Sequence, residues 1–125
     1  MGPDAIAPDG SQIYYRVGDA EHASLVEVRL AAGAVSRPVR HRTVEEIWYV
    51  SAGEGRVWRC PPGSDVGETV QVQPGDALRI PTGWAFQFAA GVAAELRFAC
   101  FTSPRWPGPG EADPVAAGGL GPPTV

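Results

Sequence analysis

Residues Gly33–Gly53 read GAVSRPVRHRTVEEIWYVSAG, and residues Gly75–Ala90 read GDALRIPTGWAFQFAA. In the first stretch Ile47, Trp48, Tyr49 and Val50 are all β-branched or aromatic, a composition that favours a strand. Successive side chains of a strand point to opposite faces. With His41 and Glu46 taken as inward, Trp48 and Val50 also face in, while Ile47 and Tyr49 face out. In the second stretch Trp84, Phe86 and Phe88 share one face, and Gln87 lies on the other. Pro74-Gly75-Asp76 and Ala52-Gly53-Glu54-Gly55 supply the fixed or free φ that chain reversals need.

The same pattern runs outward from these stretches. Candidate strands are Gln12–Val17, Leu25–Leu30, Glu46–Val50, Gly55–Arg59, Thr69–Val72, Ala77–Ile80, Ala85–Phe88 and Glu95–Thr102, and no segment keeps a helical period. Strands this short and this evenly punctuated favour a closed barrel or sandwich, which removes exposed edges. From Ser103 onward the composition turns to Pro, Gly and Ala, with Trp106 as the one obvious anchor.

The two stretches together resemble the paired motifs of the cupin superfamily. The first motif is a glycine, five residues, His-x-His, three or four residues, Glu, six residues and glycine. Here Gly33 is followed by five residues, then Val39, Arg40, His41, four residues, Glu46, six residues and Gly53. The second motif is matched by Gly75, five residues, Pro81-Thr82-Gly83, two residues, Phe86, three residues and Ala90. The resemblance implies an all-β fold: a single cupin β-barrel of jelly-roll type over residues 1–102. A Pro/Gly-rich C-terminal arm, docked or disordered, follows over residues 103–125.

Cupins that bind iron, manganese, zinc or nickel usually use three histidines and a glutamate. Of those positions only His41 and Glu46 are kept here; Val39 and Phe86 stand where lone-pair donors would be. A divalent transition metal normally needs three protein ligands, so no metal and no other cofactor is expected. Glu45, His22 and Gln87 are conceivable replacements. His22 sits in a polar loop segment, and alternation turns Gln87 away from the face of Phe86.

The expected interior is an apolar, aromatic cavity with a small polar cluster, the usual make-up of a small-molecule pocket. Val39, Trp48, Trp84, Phe86 and Phe88 are its candidate lining, and for Trp48, Phe86 and Phe88 plain core filling stays equally open. Arg79 and Arg97 lie on strands; either, if inward, would favour an anionic substrate. A histidine beside a carboxylate in an apolar pocket is a standard proton-transfer arrangement, so His41 and Glu46 are the candidate catalytic residues, with Glu46 orienting His41.

The function expected is a metal-independent enzyme acting on a small apolar or aromatic molecule by proton transfer, of isomerase, cyclase or lyase type. The alternatives are a non-catalytic small-molecule-binding cupin and a metal-dependent oxygenase or lyase with altered ligands. The net charge of −4 argues against nucleic acid, which wants a basic footprint. All ten basic residues are arginine, which excludes Schiff-base chemistry on a lysine. Apolar runs are too short for a membrane span, and Met1–Gly10 carries Asp4 and Asp9 with no basic head, so a cytoplasmic protein is expected. Cys60 and Cys100 lie outside any C-x-x-C pair and are expected to be reduced. Ile47, Tyr49 and the Tyr14-Tyr15 pair would give an outer apolar surface, and a homodimer is expected.

Overall fold

The computed structural model describes residues 2–125. Strands β1 (Ala5–Ile6), β2 (Gln12–Val17), β3 (Ser24–Leu30), β4 (Val39–His41), β5 (Glu45–Ala52), β6 (Gly55–Cys60), β7 (Glu68–Val72), β8 (Ala77–Ile80), β9 (Ala85–Ala90), β10 (Leu96–Ser103) and β11 (Ala112–Pro114) form two antiparallel sheets. One runs in the order β1-β2-β3-β10-β5-β8, the other β11-β4-β9-β6-β7. The only helical turn among the described residues is the short 3-10 segment Pro109–Glu111. This is the all-β jelly-roll barrel expected from the sequence. Ser103 onward, where the composition changes, carries that turn and β11.

The inward alternation of β5 decides which side of the sheet becomes core. Glu46, Trp48 and Val50 are buried, while Ile47 and Tyr49 are about half exposed. Trp48 stacks on Phe98 with ring centres 4.1 Å apart, and Phe88 meets both rings edge-on at 5.1 and 5.4 Å. Each such pair adds about 0.5–1.5 kcal/mol beyond the area it buries. Gly53 closes the β5–β6 turn at φ +75°, and a Cβ there would run into the Glu95 carbonyl oxygen, so the motif glycine is required on both counts.

Strand β9 is buried on both faces. Phe86 and Phe88 fill the interior, and the outer face is covered by the end of the tail. Gln87 makes that possible: its amide donates to the Ser36 and Gly121 carbonyls at 3.0 and 2.8 Å and accepts from the Leu120 N–H at 2.8 Å. A buried amide left unpaired would cost about 1–3 kcal/mol; here both ends are used. Gly119 lies against the Trp58 ring, where any side chain would clash.

The tail is tied down at its start as well. Glu111 accepts hydrogen bonds from the Thr43 and Val44 N–H groups at 2.7 and 2.9 Å and from the Thr43 hydroxyl at 2.6 Å. Arg42 grips Asp113 with a forked pair, and β11 pairs with β4, His41 opposite Ala112. The arm therefore runs from the mouth of the barrel across its second sheet. Three strands fall outside the sequence reading: β1, β4 and β11 are only two or three residues long, and β4 alternates valine, arginine and histidine without a strand-like run.

Candidate functional site

The barrel is filled unevenly. Phe86 and Phe88 pack solidly between the sheets, while the interior in front of Trp48 and Phe98 opens into a cavity of about 410 Å³. That is within the size range of small-molecule sites. Strands β2, β3 and β10 form one wall, residues 5–11 another, and Trp106 and Pro109 from the tail lie across the top.

His41 and Glu46 meet in this cavity. His41 is 4% exposed and Glu46 7%. The Trp48 indole N–H donates to Glu46 Oε1 at 2.8 Å. The other oxygen, Oε2, lies 3.8 Å from His41 Nδ1, beyond hydrogen-bond length, and Nδ1 is buried without a partner among the described residues. The imidazole is held edge-on between Phe86 and Trp106, at 5.1 and 5.2 Å between ring centres.

Burial acts on the two groups in opposite senses, because it penalises whichever form is charged. It pushes Glu46 up to about 7 against the Trp48 hydrogen bond, with the charge of Asp9 adding to the rise. It pulls His41 down to about 4, with only the Glu111 charge opposing. Near neutral pH the imidazole is therefore uncharged and the carboxyl is poised between its two forms. Burial thus places the Glu46 carboxyl near 7 and leaves His41 its uncharged neighbour. Burial, then the Glu46 charge beside it, raises the Cys100 thiol well above its ordinary range, so it is a protonated, poor nucleophile.

The sequence-derived residues separate into three groups. His41, Glu46, Val39 and Trp48 border the cavity. Phe86 and Phe88 stand behind them in the packed core, and Trp84 sits half-buried in its turn, away from the cavity wall. Arg79 and Arg97 do not face in. Each precedes an inward residue, Ile80 and Phe98, so alternation puts both guanidinium groups outside, Arg97 paired with Glu95. His22 is fully in solvent beside Glu21.

Several site residues escaped the sequence reading. Asp9, 9% exposed, lines the cavity; its Oδ1 accepts from the Ser11 N–H at 2.9 Å and hydroxyl at 2.6 Å. Burial raises its pKa against those two bonds and the charge of Arg37. Asp9-Gly10 reads as an ordinary turn, which hides an inward carboxylate. The hydroxyls of Ser24 and Thr102 bond to one another, and Ser24 Oγ also accepts from the Trp106 N–H at 3.2 Å. This fixes the tail residue over the cavity.

Whether the site suits a metal ion can be judged from its donors. Val39 and Phe86 face each other across β4 and β9 and offer only hydrocarbon. No group of three or more His, Cys, Asp or Glu side chains among the described residues is placed to hold an ion. The residues present do not fit a divalent transition metal held by protein ligands.

Fold and pocket define a small jelly-roll barrel with a ligand-sized interior. The chain belongs to the cupin family, whose model matches residues 17–105. No curated protein matches it. Among solved structures it is similar to KdgF from Halomonas sp., at 24% identity and a TM-score of 0.68 over 85% of this chain and 90% of that one. It is also similar to peruvianin-I, a cysteine peptidase from Thevetia peruviana latex, at 13% identity and a TM-score of 0.75 over 92% of this chain and 72% of that one. The 11S globulin from Wrightia tinctoria, which reveals an auxin binding site, is similar at 18% identity and a TM-score of 0.70 over 82% of this chain and 27% of that one. These likenesses establish the fold alone.

Proposed function

We propose that this cupin is an enzyme that works without a metal on a small apolar or aromatic molecule, moving a proton as an isomerase, cyclase or lyase does. Glu46 carries the proton. The observation behind this reading is its carboxyl, buried in an apolar cavity, held near pKa 7 and facing the unpartnered His41 Nδ1. An acid–base group works best when its pKa lies near the operating pH. His41, uncharged there, sets no cation beside the carboxyl to hold it ionised.

A second reading, a non-catalytic ligand holder, draws support from the auxin binding site of the structurally similar globulin. The two separate on one variant. If Glu46→Gln keeps ligand affinity and abolishes turnover of a co-purified molecule, the enzyme reading stands; if the parent binds that molecule and does not turn it over, the holder reading replaces it. Elemental analysis of protein made in metal-supplemented medium, run beside native mass spectrometry, tests the rest. One bound metal per chain would replace proton transfer with the metal-dependent alternative.

The same proposal includes a homodimer. Ile47 and Phe101 are cross-strand partners on the outer face of β5 and β10, and with Tyr49 they leave three large apolar side chains about half exposed. A second copy of this face would cover them.

A further inference from the structure

The ionisable groups lining the cavity are unbalanced. Asp9 and Glu46 are buried carboxyl groups, His41 and Cys100 are neutral near pH 7, and among the described residues the one cation in the lining, Arg105, is exposed at the mouth. A buried carboxylate is costly unless a cation or several hydrogen bonds compensate it. Asp9 Oδ1 takes both bonds from Ser11 and Arg37 acts on the carboxyl only through its charge, while Oδ2 accepts no hydrogen bond among the described residues. The partner that the fold withholds can come from a ligand.

A second observation points the same way. His41 Nδ1 is buried, unpartnered and 3.8 Å from Glu46 Oε2. In the tautomer that carries its proton on Nε2, a donor group in the cavity would satisfy Nδ1 together with Asp9 Oδ2. Anionic ligands find the reverse: Arg79 and Arg97 both point outside the barrel, and two carboxyl groups stand where a negative head would lie.

We propose that the cavity takes a cationic amine, an apolar or aromatic body ending in an ammonium group, with Asp9 as the anchoring carboxylate. This rests on the reading of the cavity as a ligand pocket and adds the charge class of its substrate. Asp9 holds the head, which leaves Glu46 free to move the proton. Trp106, across the top of the cavity, suits the same ligand, since an indole face takes apolar groups and a cation alike.

The test is isothermal titration of the full chain with three probes sharing one body: 4-phenylbutylamine, 4-phenylbutan-1-ol and 4-phenylbutyrate. The amine should bind at least about tenfold tighter than the alcohol, with the carboxylate weakest. Asp9→Asn should remove that advantage and leave alcohol affinity within about twofold. Equal or tighter binding of the carboxylate overturns the charge class while the pocket survives. So does an equal loss of amine and alcohol affinity in Asp9→Asn. Binding of none of the three overturns this inference and the pocket reading with it. Should Asp9→Asn fail to fold, the order of the three probes on the unaltered protein decides alone.

Discussion

Replacing Glu46 with glutamine removes an acid that the fold holds against its preference. The carboxyl is raised from 4.5 to about 7, chiefly by burial, so the unfolded chain ionises it first. Below pH 4.5 both states keep the proton and the shift costs nothing. From 4.5 to about 7 the folded state loses stability progressively, and above 7 it carries the whole cost. At about 1.4 kcal/mol per pH unit, that cost is about 3 kcal/mol. Glutamine keeps an oxygen for the Trp48 indole N–H. Glu46→Gln should therefore be more stable than the parent by up to about 3 kcal/mol near pH 8, and no more stable near pH 4.

His41 gives the experiment a second signature. Its pKa falls from 6.5 to about 4, so its contribution is complete above 6.5 and is lost as pH falls to about 4. Between these limits the pair binds one proton in either state, on Glu46 when folded and on His41 when unfolded. The parent should thus be nearly flat with pH from about 4.5 to 6.5 on account of this pair, while Glu46→Gln loses stability as pH falls through the same window. Urea denaturation across a pH series reads both effects. A difference between the two proteins that does not change with pH, or a variant weaker than the parent near pH 8, would mean that the fold does not hold Glu46 protonated.

Other expectations follow from neighbouring parts of the structure. Trp106→Ala opens the roof over His41, so its imidazole midpoint, followed by proton NMR, should rise from about 4 toward 6.5; an unmoved midpoint would mean the tail does not close the cavity. Glu111→Ala strands two backbone N–H groups and should cost about 2–4 kcal/mol near neutral pH, read by urea denaturation. Although burial alone would raise it, the Thr43 and Val44 hydrogen bonds hold Glu111 below the usual carboxylate range, so that difference should shrink as acid protonates the parent. Ile47→Asp on the outer face should give a monomer by light scattering, and a monomeric parent at micromolar concentration would remove the dimer proposal.

Much of the barrel could be read from local pattern. The alternation from Glu46 to Val50, the reversals at Gly53 and Gly75, and the placement of Gln87 off the inner face are all period-2 or turn-chemistry inferences, and the structure follows them. What stayed hidden depends on distance along the chain. Asp9 enters the cavity because residues 5–11 fold under β2 and β3, and Asp-Gly reads locally as a turn. Glu111 reaches Thr43 across 68 residues, and Gln87 finds partners more than 30 residues away; no window shows such pairs. Arg79 and Arg97 illustrate a narrower failure. Their outward direction follows from Ile80 and Phe98 facing in, yet that register is settled only once β8 and β10 pair with β5. Phe86 and Phe88 could line or fill the barrel on sequence grounds, and the packing of Trp48 against Phe98 decided for filling.

The proton state of Glu46 decides whether this cavity holds an acid–base group. Carbon-13 NMR of the side-chain carboxyl, assigned through Glu46→Gln, can follow it from acid to alkaline pH. Its midpoint should lie near 7, with the His41 ring neutral down to about 4. A carboxyl that ionises in the ordinary range near 4.5, beside a histidine still charged at pH 6, would contradict it.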